Sequence, residues 1–398
     1  MVVQSISVCW RWIGFFFCLI GLGACGDASG RLPPTITAMT YEPLHPGNKI
    51  VVTFELDAED PGGITSIELF VYEYALTEDE DGMRVGKARE GGQWGSVETW
   101  SISPPKVTES VSYKYQSGFP PESYVRYIFQ VKNSAGYSRS EEWLFAAGDW
   151  PFPDTPVPIL ANGPPGKRVN LTFVADEETY TDAAEMLGDL DGVIFGGYHT
   201  NNAIEGDRRR YWQFYYSLEK GQIDDGVLSN GTIGKKVLDV PESVQESRVS
   251  THAALVHKDD TINQNWAVGT KFGTHAEHPR VAVHEAGHAV FGLADEQIIG
   301  LHSVSSAPHH NNFSSEEDAK KYNEENGWDR NEVQKIGCTR GKCWWKPEPA
   351  ELQCIMAVAD DKMLAFQRSC IRRVNWYYGQ LEPLGPRWLI NKLKQQNP

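Results

Sequence analysis

The stretch at residues 281–296, VAVHEAGHAVFGLADE, constrains this chain more than any other. His284 and His288 stand four residues apart, so on a helix of 3.6 residues per turn both imidazoles leave from one face and can share an ion. That spacing suits zinc. Glu285 follows the first histidine and projects to the side of such an ion, where it can hold and deprotonate a water instead of ligating the metal. Pro279 fits a first helical turn, where its missing N–H would have no intrahelical partner, and Gly292 can end the helix in a left-handed conformation. A tetrahedral site with one open position needs a third protein ligand. The run LADE offers Asp295 and Glu296; Asp295 is preferred and Glu296 is the fallback.

HExxH followed by a glycine, a third ligand and a later methionine turn resembles the metzincin clan of zinc metalloproteases. HEAGHAVFGLADE is similar to the IgA-peptidase family of that clan, whose pattern is HExxHxxxGLADE. It differs from the commoner HExxHxxGxxH by one inserted residue, so Phe291 occupies the usual glycine position and Asp295 matches the family's aspartate. Downstream, QCIMA at residues 353–357 places Met356 where the clan has the methionine that floors the zinc. The resemblance covers roughly residues 167–370. It implies one catalytic Zn2+ held by His284, His288 and Asp295, with Glu285 as general base and acid, and hydrolysis of peptide bonds in a protein or peptide substrate. Two rivals stand beside this reading: a catalytically inactive metzincin-like binding or adhesion lipoprotein, and a zinc hydrolase of non-peptide amides in the cell envelope. The resemblance does not make immunoglobulin the target.

The chain carries 53 acidic against 37 basic residues, a net charge of −16, and no Lys/Arg block longer than Arg208-Arg209-Arg210. Nucleic acid is therefore not an expected partner, since phosphate binding needs a basic face. Arg11 followed by the apolar run 12–24, too short to span a bilayer, reads as a signal peptide over residues 1–24. Leu22-Gly23-Ala24-Cys25 resembles a bacterial lipoprotein cleavage box, which implies a lipid on Cys25, a membrane attachment through it, and outer-membrane or cell-surface location; an ordinary secretory signal is the alternative. Of seven cysteines, Cys9 and Cys18 lie in the signal and Cys25 is the anchor, leaving Cys338, Cys343, Cys354 and Cys370. Four cysteines in an exported chain suggest two disulfides. The preferred pairs are Cys338–Cys343 and Cys354–Cys370, the latter bracing the methionine turn, with a second zinc cluster as the rival.

Taken in order, residues 25–34 are a polar tether and residues 35–148 read as all-β. KIVVTFEL, ITSIELFVYEY, SVSYKY and YVRYIFQV are rich in β-branched and aromatic residues, separated by turn signals such as Asp60-Pro61-Gly62-Gly63. Strands at this rhythm suggest a sandwich, and AEDPGGITSIELFV and VKNSAGYSRS resemble a bacterial immunoglobulin-like or fibronectin-type module. Residues 148–167 hold six prolines in twenty, so a semi-rigid linker is placed at 149–166. The catalytic unit follows at 167–398. In it RVNLTFVA, YWQFYYSL and AALVH read as strands and YTDAAEMLGDL as a helix, an α/β pattern. The resemblance implies a mixed twisted sheet behind the zinc helix, with residues 266–274 nearest its edge beside the cleft. Residues 314–326 are expected as a surface helix and 363–378 as a closing helix. His275, His278, His302, His309 and His310 are discounted as ligands, and the chain is expected to be a monomer. The expected fold is thus an immunoglobulin-like sandwich followed by an α/β metzincin-like zinc protease domain.

Overall fold

A computed structural model describes residues 32–78, 84–152, 154–162, 168–224, 237–259, 265–296, 309, 311–339, 342–349, 354–357 and 365–381. The signal segment, Cys25 and the tether up to residue 31 lie outside the described residues, as do His302 and His310. The protein is β-rich, built on several sheets, and among the described residues no helix is long and apolar enough to cross a membrane.

The first half is one antiparallel sheet. Its strands are β1 (Thr35–Glu42), β2 (Val52–Glu78), β3 (Arg84–Ala88), β4 (Trp94–Tyr115), β5 (Ser123–Asn133) and β6 (Ser138–Ala147), in the order β1-β2-β5-β6 with β3 and β4 also paired to β2. Residues 52–56 of KIVVTFEL and all of ITSIELFVYEY, expected as two strands divided by a turn, lie on the single strand β2. The residues between them form a bulge: the register against β4 jumps between Glu59 and Ile64, and the Asp60 carboxylate accepts from the Gly62 N–H at 2.6 Å. A bulge bends a strand. Before it β2 pairs with β1 and β4, after it with β4 and β5. The sheet consequently folds over itself. Tyr41 of β1 stacks on Phe145 of β6 at 4.1 Å although these strands stand at opposite ends of the order, and Phe54 and Tyr127 pack beside them. The alternate residues Val125, Tyr127, Phe129 and Val131 of β5 are fully buried in this core.

The second half is a mixed sheet in the order β13-β14-β12-β8-β9-β7, with β7 (Val157–Leu160), β8 (Val169–Ala175), β9 (Trp212–Tyr216), β12 (His252–His257), β13 (Trp266–Val268) and β14 (Lys271–His275). The four inner strands run parallel and the two outer ones antiparallel. Strands β8, β9 and β12 are buried throughout, as parallel strands covered on both faces must be. One face carries Val174, Ala253 and Leu255 against the hairpin β10 (Gln222–Asp224) and β11 (Val237–Asp239) and the short helix α2 (Glu242–Gln245). The other carries Phe173, Ala254 and Val256 against α1 (Ala183–Asp191), a wide helical turn at Gly192–Tyr198, and α3 (Pro279–Ala289). At the start of α1 the N-cap Asp182 carboxylate accepts from the Glu185 N–H, and the Glu185 carboxylate reaches back to accept from the Thr181 N–H.

Within the proline-rich stretch, expected as a linker, residues 157–160 are instead strand β7, fully buried at the edge of the second sheet, where Pro158 costs little. Ala161 bridges to Leu144 of β6, the Tyr41 hydroxyl donates to the Ile159 carbonyl at 2.8 Å, and the buried Arg209 guanidinium donates to the Ile36 carbonyl at 2.8 Å. The two halves therefore share one apolar interior. Beyond the zinc-spaced helix lie α4 (Glu316–Glu325), capped by Ser315, the hairpin β15 (Gln334–Thr339) and β16 (Lys342–Lys346), and α5 (Arg368–Gln380), which begins five residues later than the pattern suggested.

Candidate metal centre

Helix α3 opens with Pro279 in its first turn. It ends around Val290, and Gly292 takes φ +66°, the left-handed geometry expected there. The Gly292 N–H donates to the His288 carbonyl and the Leu293 N–H to the Gly287 carbonyl, turning the chain back beneath the helix. His284 and Glu285 are buried, at 4% and 6% exposure.

Both histidines are fixed by backbone carbonyls. His284 Nδ1 donates to the Ile355 oxygen at 2.8 Å and His288 Nδ1 to the Leu293 oxygen at 2.7 Å. With Nδ1 committed as the donor, each Nε2 is the nitrogen left to face an ion. The two Nε2 atoms are 3.2 Å apart, and Asp295 Oδ1 lies 3.3 Å from one and 3.2 Å from the other. Donors about 2.0–2.1 Å from a zinc ion at tetrahedral angles lie about 3.3 Å from one another. The triangle has that size. Without a cation, burial pushes the Asp295 carboxyl up, but the hydrogen bonds and charges of His284 and His288 outweigh it and hold the group well below the usual carboxylate range. Burial likewise lowers His288, and the Asp295 carboxylate more than reverses it.

Glu296, the fallback ligand, turns the other way. Its N–H donates to the Met356 carbonyl at 2.9 Å, and its Oε1 accepts from Asn311 Nδ2 and Cys370 Sγ, each at 3.2 Å. Met356 is fully buried in a tight turn closed by the Ala357 N–H to the Cys354 carbonyl at 2.8 Å. It lies against α3 at Gly287, where an added Cβ would stand 2.6 Å from Met356 Sδ. No larger residue fits at position 287 without displacing that methionine.

Cys338 and Cys343 form the expected disulfide across the β15–β16 hairpin. The expected Cys354–Cys370 bridge is corrected: both are buried free thiols with their sulfurs in contact at 3.3 Å. Cys25 is outside the described residues. His275, His278 and His309 join neither group of potential ligands; His309 Nδ1 accepts from Arg372 Nε at 3.4 Å. Strand β13, inside the 266–274 stretch, is the edge of the second sheet, and its Val268 is 53% exposed. Two site residues escaped the sequence reading. Asn311 clamps Ala294 through both its amide atoms at 3.0 and 2.7 Å, and Asn312 Nδ2 donates to the Asp295 carbonyl at 2.5 Å. Together they hold the loop that carries Asp295, but an asparagine pair in a polar stretch carries no spacing signal.

No protein-family model matches the chain, and no curated protein matches it. Among solved structures it is similar to a DUF4466 family protein from Parabacteroides merdae (13% identity, 27% of this chain and 43% of that one, TM-score 0.18), to the sporulation control protein Spo0M from Bacillus subtilis (10%, 30% and 51%, 0.20) and to OgpA from Akkermansia muciniphila (9%, 29% and 28%, 0.20). The matched region thus spans about half or less of each of those structures, and scores this low carry no functional argument.

Proposed function

We propose that this protein is a zinc-dependent endopeptidase, with a metzincin-like catalytic unit of the IgA-peptidase type behind an immunoglobulin-like module. The observation that carries this reading is the triangle of His284 Nε2, His288 Nε2 and Asp295 Oδ1 with sides of 3.2–3.3 Å, both Nδ1 atoms being committed to backbone carbonyls. Two imidazoles and one carboxylate are a donor set for Zn2+ with room for a fourth position. When bound there, the ion supplies Lewis-acid polarisation and lowers the pKa of a water from about 15.7 towards 7. Glu285, one residue along the helix from His284, accepts the proton of the attacking water on its carboxylate and delivers it to the amine nitrogen that leaves. The edge strand β13 offers backbone N–H and C=O groups to an extended peptide as an added strand, which positions a scissile bond by main chain rather than by side chain. A lipid on Cys25 would hold the enzyme at a membrane surface.

Glu285→Gln tests the chemistry. The variant is expected to keep its metal while turnover of a mixed peptide library falls by about 10²–10⁴-fold, the usual contribution of general acid–base catalysis, and a chelator is expected to abolish cleavage by the wild-type protein. A metal-loaded wild-type protein that cleaves no peptide moves the assignment to a binding lipoprotein, or, if it hydrolyses small envelope amides, to an amidase.

A further inference from the structure

Behind the histidine site lies a second cluster that the proposed peptidase chemistry does not use. Glu296, Cys354 and Cys370 present one oxygen and two sulfurs within 4.8 Å of one another, and all three residues are buried. Cys370 Sγ is 3.2 Å from Glu296 Oε1 and 3.3 Å from Cys354 Sγ. Beside them Glu348 is fully buried, with Oε1 accepting from the Ser369 N–H and hydroxyl at 2.8 and 2.6 Å. Among the described residues Glu296 Oε2 and Glu348 Oε2 are both buried without a hydrogen-bond partner, and the buried Lys346 ammonium stands 4.0 Å from Glu296 Oε2. One ammonium at that distance offsets the cost of two buried carboxylate oxygens only in part, and a further cation would offset the rest.

We propose that Cys354, Cys370 and Glu296 form a second metal site, structural rather than catalytic, for a thiolate-seeking divalent ion of the zinc class. The donor set is the reason for that class: thiolates select zinc over magnesium or calcium, and a carboxylate is compatible with it. Binding releases the two thiol protons to solvent. The Gln367 N–H already points at Cys354 Sγ from 3.3 Å, the kind of donor that stabilises a thiolate. Distances favour a metal over a disulfide. Tetrahedral zinc needs the sulfurs about 3.8 Å apart, an outward shift of about 0.5 Å. A disulfide needs about 2.05 Å, a contraction of more than 1 Å, and would leave both carboxylate oxygens as they are.

The three donors come from three segments that together shape the histidine site. Glu296 follows the ligand Asp295, Cys354 precedes the Ile355 carbonyl that orients His284, and Cys370 lies on α5. An ion here clamps the methionine turn to the ligand loop, and it does so whether or not the histidine site is a peptidase centre.

The test is metal analysis and cobalt substitution of the full-length protein. Wild-type protein is expected to bind two ions per chain, His288→Ala one, and the cobalt form of His288→Ala to keep a near-ultraviolet thiolate-to-cobalt charge-transfer band. Cys354→Ser with Cys370→Ser is expected to lose that band. Should the double variant not fold, the wild-type cobalt spectrum and peptide mass mapping decide alone. Recovery of Cys354 and Cys370 as a disulfide-linked peptide, or a cobalt spectrum without thiolate charge transfer, overturns the second site while leaving the histidine site standing.

Discussion

Gly287 lies between the two histidines, and its missing side chain is what lets the turn at Met356 press against the helix. A Cβ there would meet Met356 Sδ at 2.6 Å and Phe366 at 3.2 Å, in a core where both residues are buried. Because Met356 follows directly on the Ile355 carbonyl that orients His284, the clash reaches the ligand geometry. Gly287→Ala is expected to cost about 1–3 kcal/mol by overpacking and to weaken metal binding together with it. Urea midpoints measured with and without metal check both, and a variant as stable and as metal-avid as the wild type would remove the steric role. At this scale the sequence was most informative, because two histidines four apart in a helix can hardly point elsewhere. The choice of Asp295 over Glu296 was not legible in spacing. It depends on how the loop after Gly292 turns, and the amides of Asn311 and Asn312, distant in sequence, set that turn.

Elements were legible wherever burial follows the local period, and less so where one residue type serves two structures. Asp60-Pro61-Gly62-Gly63 has the composition of a turn, yet it serves as the bulge that lets a single long strand change partners. Residues 157–160 sit among prolines and still form a strand, because an edge position forgives the lost N–H. The end of α3 was legible for a firmer reason: a residue at φ +66° is strained unless it is glycine. Gly292→Ala is expected to destabilise the protein by about 1–2 kcal/mol. It should also loosen the Leu293 carbonyl from His288 Nδ1 and so raise the metal dissociation constant. Chelator-competition titration of the variant checks the affinity, and thermal unfolding of the metal-free form checks the stability.

At the scale of the whole molecule, the halves that composition separates are joined through groups that dislike charge. His199, under Trp143 of β6, is buried at the junction, and burial, with the Arg209 charge adding to it, brings its pKa down from 6.5 to about 3. His257, in the centre of the second sheet, is lowered by burial to about 4. Both pKa values are depressed on folding. Between these values and 6.5 the unfolded chain binds more protons than the folded one, so stability is fully present above about pH 6.5 and falls as the pH drops towards 3–4. Each fully buried neutral histidine then costs about 1.4 kcal/mol per pH unit across that window. Urea denaturation at pH 7.5, 6, 5 and 4 should show a falling midpoint. His199→Gln, which keeps a polar group of similar reach but cannot take up the proton, should flatten the slope while lowering stability at pH 7.5. Because His199 directly follows the wide turn after α1 and packs against the ring of Trp143, the first half is expected to unfold with the second in one transition, and separate transitions by tryptophan fluorescence and circular dichroism would show that the shared interior does not couple them.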